Sequence, residues 1–149
     1  MLSHRPATAA DVPLLAVLNH QLIRDEGHRN RMTVSELEAR MKSWLETDYR
    51  AILFARESEV VAYALYRPEG TSAYLRQFFV CQEHRRSGVG RTAMQILLRG
   101  AFDAFDRIYL DVLTNNPSGH AFWRAVGFQD YAVTMETLRN PSMPGAGVP

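Results

Sequence analysis

Phe78-Phe79-Val80-Cys81-Gln82-Glu83-His84-Arg85-Arg86-Ser87-Gly88-Val89-Gly90 is the stretch whose reading decides the fold: an apolar strand passes through a short polar link into a glycine-bearing helix start. Backbone N–H groups in the first turn of a helix have no intrahelical partners, and the aligned peptide dipoles add partial positive charge there. Such an end stabilises a phosphate, and glycines without Cβ atoms let the backbone approach its oxygens. A G-x-G pair alone also marks an ordinary turn. The loop has no Lys-Ser or Lys-Thr after Gly90 and no third glycine, which disfavours both the phosphate loop of nucleotide hydrolases and the dinucleotide fingerprint.

A second group of residues follows downstream: the strand-like Leu110-Asp111-Val112-Leu113, then Asn116, a short helix carrying Phe122-Trp123, and Gly127-Phe128. Together with the R-x-x-G-x-G pattern opened by Arg85, this order resembles the GNAT superfamily of acyl-CoA-dependent N-acyltransferases. The opening Arg5-Pro6-Ala7-Thr8 with Asp11 is similar to the usual start of these domains, so the resemblance covers about positions 3 to 136. It implies a mixed, mostly antiparallel central sheet with splayed fourth and fifth strands and about four flanking helices.

The chain has 149 residues and a formal net charge of +1, the size of one globular domain with no general electrostatic drive toward nucleic acid or an anionic membrane. Arg85, Arg86 and Arg91 make a local basic spot that one anionic cofactor would satisfy. The single cysteine, Cys81, cannot form an internal disulfide, and the N-terminus lacks a long apolar run. A cytoplasmic home is expected. The domain is read as residues 1–139. Residues 140–149, with three prolines and two glycines, are read as a tail outside the core.

Thr8 with Asp11 and Thr33 with Glu36 have the spacing of helix caps, each followed by apolar residues at helical intervals. Strands are expected over Arg50 to Arg56, Val60 to Arg67, Tyr74 to Val80, Ile108 to Leu113 and Phe128 to Met135. A helix from Val89 between two strands requires a crossover, which makes those strands parallel. Pro117 suits the first turn of a last helix. The class is α/β.

The resemblance also implies roles. Acetyl-CoA is the cosubstrate, with its pyrophosphate at Arg85, Arg86, Ser87, Gly88, Val89, Gly90 and Arg91 and its pantetheine arm against Phe78, Phe79 and Val80. The Val80 N–H is the oxyanion donor by this analogy. Asn116 is either a pantetheine contact or a helix cap. Phe122 and Trp123 either flank the cofactor or pack the last helix. Direct transfer needs an acceptor for the amine's proton, and Asp111 is the first candidate, with Glu26 and His28 as alternatives. Family members commonly place a proton-donating tyrosine where Trp123 stands; an indole N–H cannot serve, which leaves Tyr131 or water. No partner orients Cys81 as a nucleophile, and no metal-ligand spacing occurs, so no metal is expected. The acceptor is expected to be a small-molecule or peptide amine, with no nucleic acid and no membrane as partner and with a homodimer allowed. Asp25 and Glu26 suit a cationic amine, whereas Arg29, Arg31 and Arg76 suit a carboxylate. A catalytically weak acyl-CoA-binding module is the competing class.

Overall fold

The computed structural model describes residues 1–140, so all of the Pro/Gly-rich tail beyond Asn140 lies outside the described residues. Five strands form one sheet in sequence order: β1 (Leu2–Pro6), β2 (Arg50–Arg56), β3 (Glu59–Glu69), β4 (Ser72–Val80) and β5 (Arg107–Tyr109). The first four pair antiparallel, and β5 lies parallel to β4. Four helices flank the sheet: α1 (Val12–Glu26), α2 (Val34–Glu46), α3 (Val89–Arg99) and α4 (Pro117–Ala125).

Alternation along the strands splits the core in two, because successive side chains point to opposite faces. Leu53, Tyr63, Leu65 and Phe79 pack with Leu15, Leu22, Leu37 and Met41 of α1 and α2. Phe54, Ala62, Ala64 and Leu75 pack with Ala93, Met94 and Leu97 of α3 on the other face. The β2–β3 connection is a two-residue turn in which Glu57 and Ser58 take φ of 52° and 72°, the left-handed pair whose twist suits a hairpin.

Both predicted caps form, for local reasons. Thr33 Oγ1 accepts the Glu36 N–H at 3.2 Å and Glu36 Oε1 accepts the Thr33 N–H at 2.9 Å, satisfying two orphan donors reciprocally. Asp11 closes a 3-10 turn (Ala9–Asp11) ahead of α1, accepting the Thr8 N–H at 2.7 Å and both fork nitrogens of Arg5 at 2.8 Å.

Two expectations are corrected, and one strand is added. The strand read over Ile108 to Leu113 is only Arg107–Tyr109, since the chain leaves the sheet after its third paired residue. The strand read over Phe128 to Met135 does not form: Tyr131, Val133 and Met135 alternate as a strand would but are 87%, 77% and 90% exposed, and no sheet edge of the described residues pairs with them. Conversely β1 escapes a reading of the sequence, because its pattern is largely exposed and only its register with β2 identifies it.

The Arg5 guanidinium holds the Asp11 carboxyl down to about 2, so the pair stabilises the fold above pH 4 and loses that contribution as pH falls through this value. Arg5 remains 55% exposed, so solvent screening discounts the pair. Asp11→Asn should lower stability at pH 7, and urea melts of the two proteins should converge as pH falls from 4 to 2.

Candidate active site

The site grows from a mismatch in strand length. β4 runs nine residues, but β5 covers only Ser72, Ala73 and Tyr74 of it, so from Leu75 to Val80 the β5 side of β4 has no strand partner. The Cys81 N–H goes to the Val61 carbonyl on β3 at 2.8 Å. By strand alternation, Phe78 and Val80 turn their N–H and C=O groups into the open gap. Exposed strand groups of this kind can bond to an extended ligand with amides of its own. One is already used: Arg85 Nε donates to the Val80 carbonyl at 2.8 Å.

The same arginine ties α1 to the gap, because Arg85 Nη2 reaches Asp25 Oδ2 at 2.7 Å while its guanidinium lies 5.3 Å from the Phe79 ring. The next residues of that segment form a second pair, His28 Nε2 to Glu26 Oε2 at 2.9 Å. A carboxylate only accepts, so Nε2 carries the proton in neutral His28 and Nδ1 is the acceptor, a buried atom without a hydrogen-bond partner among the described residues.

Beyond the open end of β4 the loop turns through Arg86 and Gly88, both left-handed with φ of 61° and 82°, and α3 begins at Val89. Space is open on the Cβ side of Gly88, and its torsion favours glycine. Gly90 is closely packed: a Cβ there would crowd the Phe122 ring at 3.0 Å, with Val80 at an ordinary 3.6 Å. The first-turn N–H groups of α3 have no intrahelical acceptor, and Arg86 and Arg91, which flank this helix start in the sequence, are exposed. This arrangement fits an anionic group followed by an amide-bearing chain, as the residues of the loop imply.

The helix α4 packs over the gap's other wall. Phe78 stacks with Phe122 at 5.9 Å and meets Trp123 at 5.5 Å, and Trp123 meets Phe128 at 5.2 Å. Asn116 caps α4, its Oδ1 accepting the Gly119 N–H at 3.1 Å, which is the cap alternative of the sequence reading.

At the closed end of the gap, Tyr74 donates its hydroxyl to Asp111 Oδ2 at 2.8 Å and stacks on Tyr109 at 5.0 Å. Asp111 stands two residues beyond β5 and is exposed, rather than lying within a strand. Burial and the Asp111 carboxylate push the Tyr74 phenol above its ordinary value. Tyr131 is exposed and lies beside Arg107, whose guanidinium carbon is 5.1 Å from its ring and 4.4 Å from that of Tyr109. Cys81 is buried, and that burial raises its thiol, the reverse of an activated nucleophile.

The structure also gives Arg76 its place and adds neighbours that the sequence did not single out. The register shifts between Leu65 and Tyr66 of β3, which makes Arg76 the extra residue of a β-bulge in β4. Arg76 and Gln77 thus both face α1 and α2, where Arg76 stacks on Trp44 and donates to the Tyr49 hydroxyl at 3.2 Å. Gln77 Oε1 accepts the buried Tyr63 hydroxyl at 2.7 Å. Arg40 donates to Asn19 Oδ1 at 3.3 Å. No periodicity in the chain announces a bulge.

The chain matches the Acetyltransferase (GNAT) family over residues 18–128 and belongs to it. Its fold is shared with a possible acetyltransferase from Clostridium difficile 630, at 17% identity and a TM-score of 0.78, covering 93% of this chain and 97% of that one. An acetyltransferase from Thermus thermophilus is 28% identical, with 87% of each chain covered and a TM-score of 0.73. The aminoglycoside acetyltransferase AAC(6')-Iy, solved with the bisubstrate analogue CoA-S-monomethyl-acetylneamine, is 14% identical with a TM-score of 0.74, covering 93% of this chain and 99% of that one. No curated protein matches the chain. Among the described residues no helix is long and apolar enough to cross a membrane, and no group of three metal-ligating side chains occurs.

Gly88→Asp places a carboxylate at a left-handed position that aspartate tolerates, in open space beside the α3 start. The protein should keep its far-UV circular dichroism and lose CoA affinity at least about 100-fold by calorimetry. Undiminished affinity in the folded variant would place the pyrophosphate elsewhere.

Proposed function

We propose that this protein transfers the acetyl group of acetyl-CoA directly to a primary amine. The observation that carries this reading is the stretch of β4 from Leu75 to Val80 without a strand partner on its β5 side, followed within ten residues by the glycine-bearing start of α3. Membership of the acetyltransferase family and the CoA-containing complex of a structural neighbour support it.

Acetyl-CoA supplies the activated acyl group as a thioester. On the protein side, Phe78 and Val80 offer strand-like backbone bonds to the pantetheine amides, and the Val80 N–H serves the carbonyl oxygen as charge develops on it. Loop residues Arg85, Arg86, Ser87, Gly88, Val89, Gly90 and Arg91 form the pyrophosphate end. The amine forms its bond to the acetyl carbon as the C–S bond breaks. Asp111 takes the amine's proton through water, which suits an exposed carboxylate held by Tyr74 where β4 and β5 part. The thiolate takes a proton from water, since its low basicity makes a dedicated acid unnecessary.

Asp111→Asn should reduce turnover about 10²-fold or more at pH 7, with partial recovery toward alkaline pH as more amine is already neutral. CoA affinity should barely change. Wild-type turnover in that variant, with a large loss in His28→Gln, would move the proton to the Glu26–His28 pair.

Trp123 packs edge-on against Phe78, Phe122 and Phe128, all within 5.5 Å between centroids. Trp123→Phe keeps an aromatic ring there, so steady-state turnover should stay within about tenfold of wild type, less than the loss of a general acid causes. A thousandfold loss in a folded variant with normal CoA binding would assign the indole a chemical role.

A further inference from the structure

Tyr74 and Tyr109 face each other in the last pair of the β4–β5 ladder, so they stand where the two strands part. Their rings stack at 5.0 Å with planes 30° apart. Two further contacts fix Tyr109: its hydroxyl donates to Glu69 Oε1 at 2.6 Å, and the Arg107 guanidinium carbon lies 4.4 Å from its ring centroid. Glu69 ends β3 and is held in turn by Arg67, whose Nε donates to Glu69 Oε2 at 2.9 Å. Arg67 also donates to the Tyr49 hydroxyl at 3.2 Å and lies 5.5 Å from the Tyr74 ring.

Any one of these contacts near the surface is worth little to stability. Together, a ring stack, a hydrogen bond and a cation–π contact converge on one half-buried phenol from β4, β3 and its own strand, which fixes the ring. The Tyr109 hydroxyl, and then Arg67, hold the Glu69 carboxyl below its ordinary value, so this acceptor stays charged at neutral pH. What the fixed rings serve lies one hydrogen bond away. Tyr74 donates to Asp111 Oδ2 at 2.8 Å, and Asp111 follows β5 on a stretch without strand pairing among the described residues. An exposed carboxylate on such a stretch has several rotamers, and the Tyr74 hydroxyl selects one only while the Tyr74 ring is itself held.

We propose that Tyr109 and Glu69 are positioning residues of acetyl transfer, which lock the Tyr74 ring where β4 and β5 part and thereby place the Asp111 carboxylate for the amine's proton. The proposal rests on the reading of Asp111 as the proton acceptor. Its effects on turnover pass through Asp111 and vanish without that carboxylate. A pair that merely held the end of the sheet together would act alike with and without it.

The test follows CoA release by the whole chain with acetyl-CoA and, in turn, ethanolamine, spermidine and glycinamide, the fastest amine being kept for the variants. Tyr109→Leu removes both the stack and the hydrogen bond, so kcat should fall about 10- to 100-fold, the range for a misplaced reacting group. CoA affinity by calorimetry should stay within about twofold. Tyr109→Phe and Glu69→Gln keep the ring and weaken only the hydrogen bond, and losses of about three- to tenfold are expected. In Asp111→Asn, already slow, Tyr109→Leu should cost less than about threefold more, because the group that it places is gone. Independently of turnover, the Asp111 carboxyl-carbon resonance of isotope-labelled protein, assigned by its loss in Asp111→Asn, should move in Tyr74→Phe and in Tyr109→Leu.

Equal losses from Tyr109→Leu with and without the Asp111 carboxylate overturn the proposal, as does an Asp111 resonance that Tyr109→Leu leaves in place. If Tyr109→Leu does not fold, Tyr109→Phe carries the same comparisons. Wild-type turnover in Asp111→Asn also overturns it, through failure of the underlying reading, and a resonance that still moves in Tyr109→Leu identifies that cause. If none of the amines is acetylated, the resonance alone decides: movement in Tyr109→Leu supports the positioning, and an unmoved signal refutes it.

Discussion

Pairing between β4 and β5 stops after Tyr74 and Tyr109, and the geometry of the site follows from that interruption. A full-length parallel partner would consume the inward N–H and C=O groups of Phe78 and Val80 and close the sheet. Because β5 is only three residues long, those groups face a gap, and α3 begins beside its open end. The bulge at Arg76 acts on the same strand. It reverses the facing of everything after it, so that Leu75 and Phe78 share the α3 face while Arg76 and Gln77 share the other.

The two walls of the gap are built from different forces. On the α3 and α4 side the contacts are aromatic: Phe78, Phe122, Trp123 and Phe128 form one cluster, and Gly90 lets α3 come close enough to join it. On the α1 and α2 side the contacts are polar and charged. Arg85 bridges the last carbonyl of β4 to Asp25 at the end of α1, which sets the Glu26–His28 pair near the same end. An apolar wall excludes water from one side of an extended ligand, and a polar wall orients the reacting groups on the other.

The segment after Phe128 shows how a local pattern can mislead. Alternating Tyr131, Val133 and Met135 reads as a strand, yet a strand exists only where another edge pairs with it. In the described residues the free side of β5 offers just three residues, and the segment lies exposed, held by Arg29 to Glu136 and by Arg107 beside Tyr131. The expected Ile108 to Leu113 strand failed for a related reason: Leu110 to Leu113 are apolar enough for a strand, but the chain leaves the sheet to reach the Asn116 cap.

Sequence by itself determined the features that rest on neighbouring residues. Capping at Thr33 and Glu36, the Asp11 turn, the apolar stripes of α1 and α3, and the glycine loop into α3 all depend on contacts within a few positions, so their spacing carries them. The order of these elements was enough to name the family. Tertiary structure alone decided where β5 ends, that Arg76 sits in a bulge, and which charges cancel. Asp25 with Arg85 and Arg29 with Glu136 are 60 and 107 residues apart, and no local rule pairs them. The grouping of Arg40, Trp44, Arg76 and Gln77 is likewise a product of tertiary packing, which buries Gln77 and half-buries the other three.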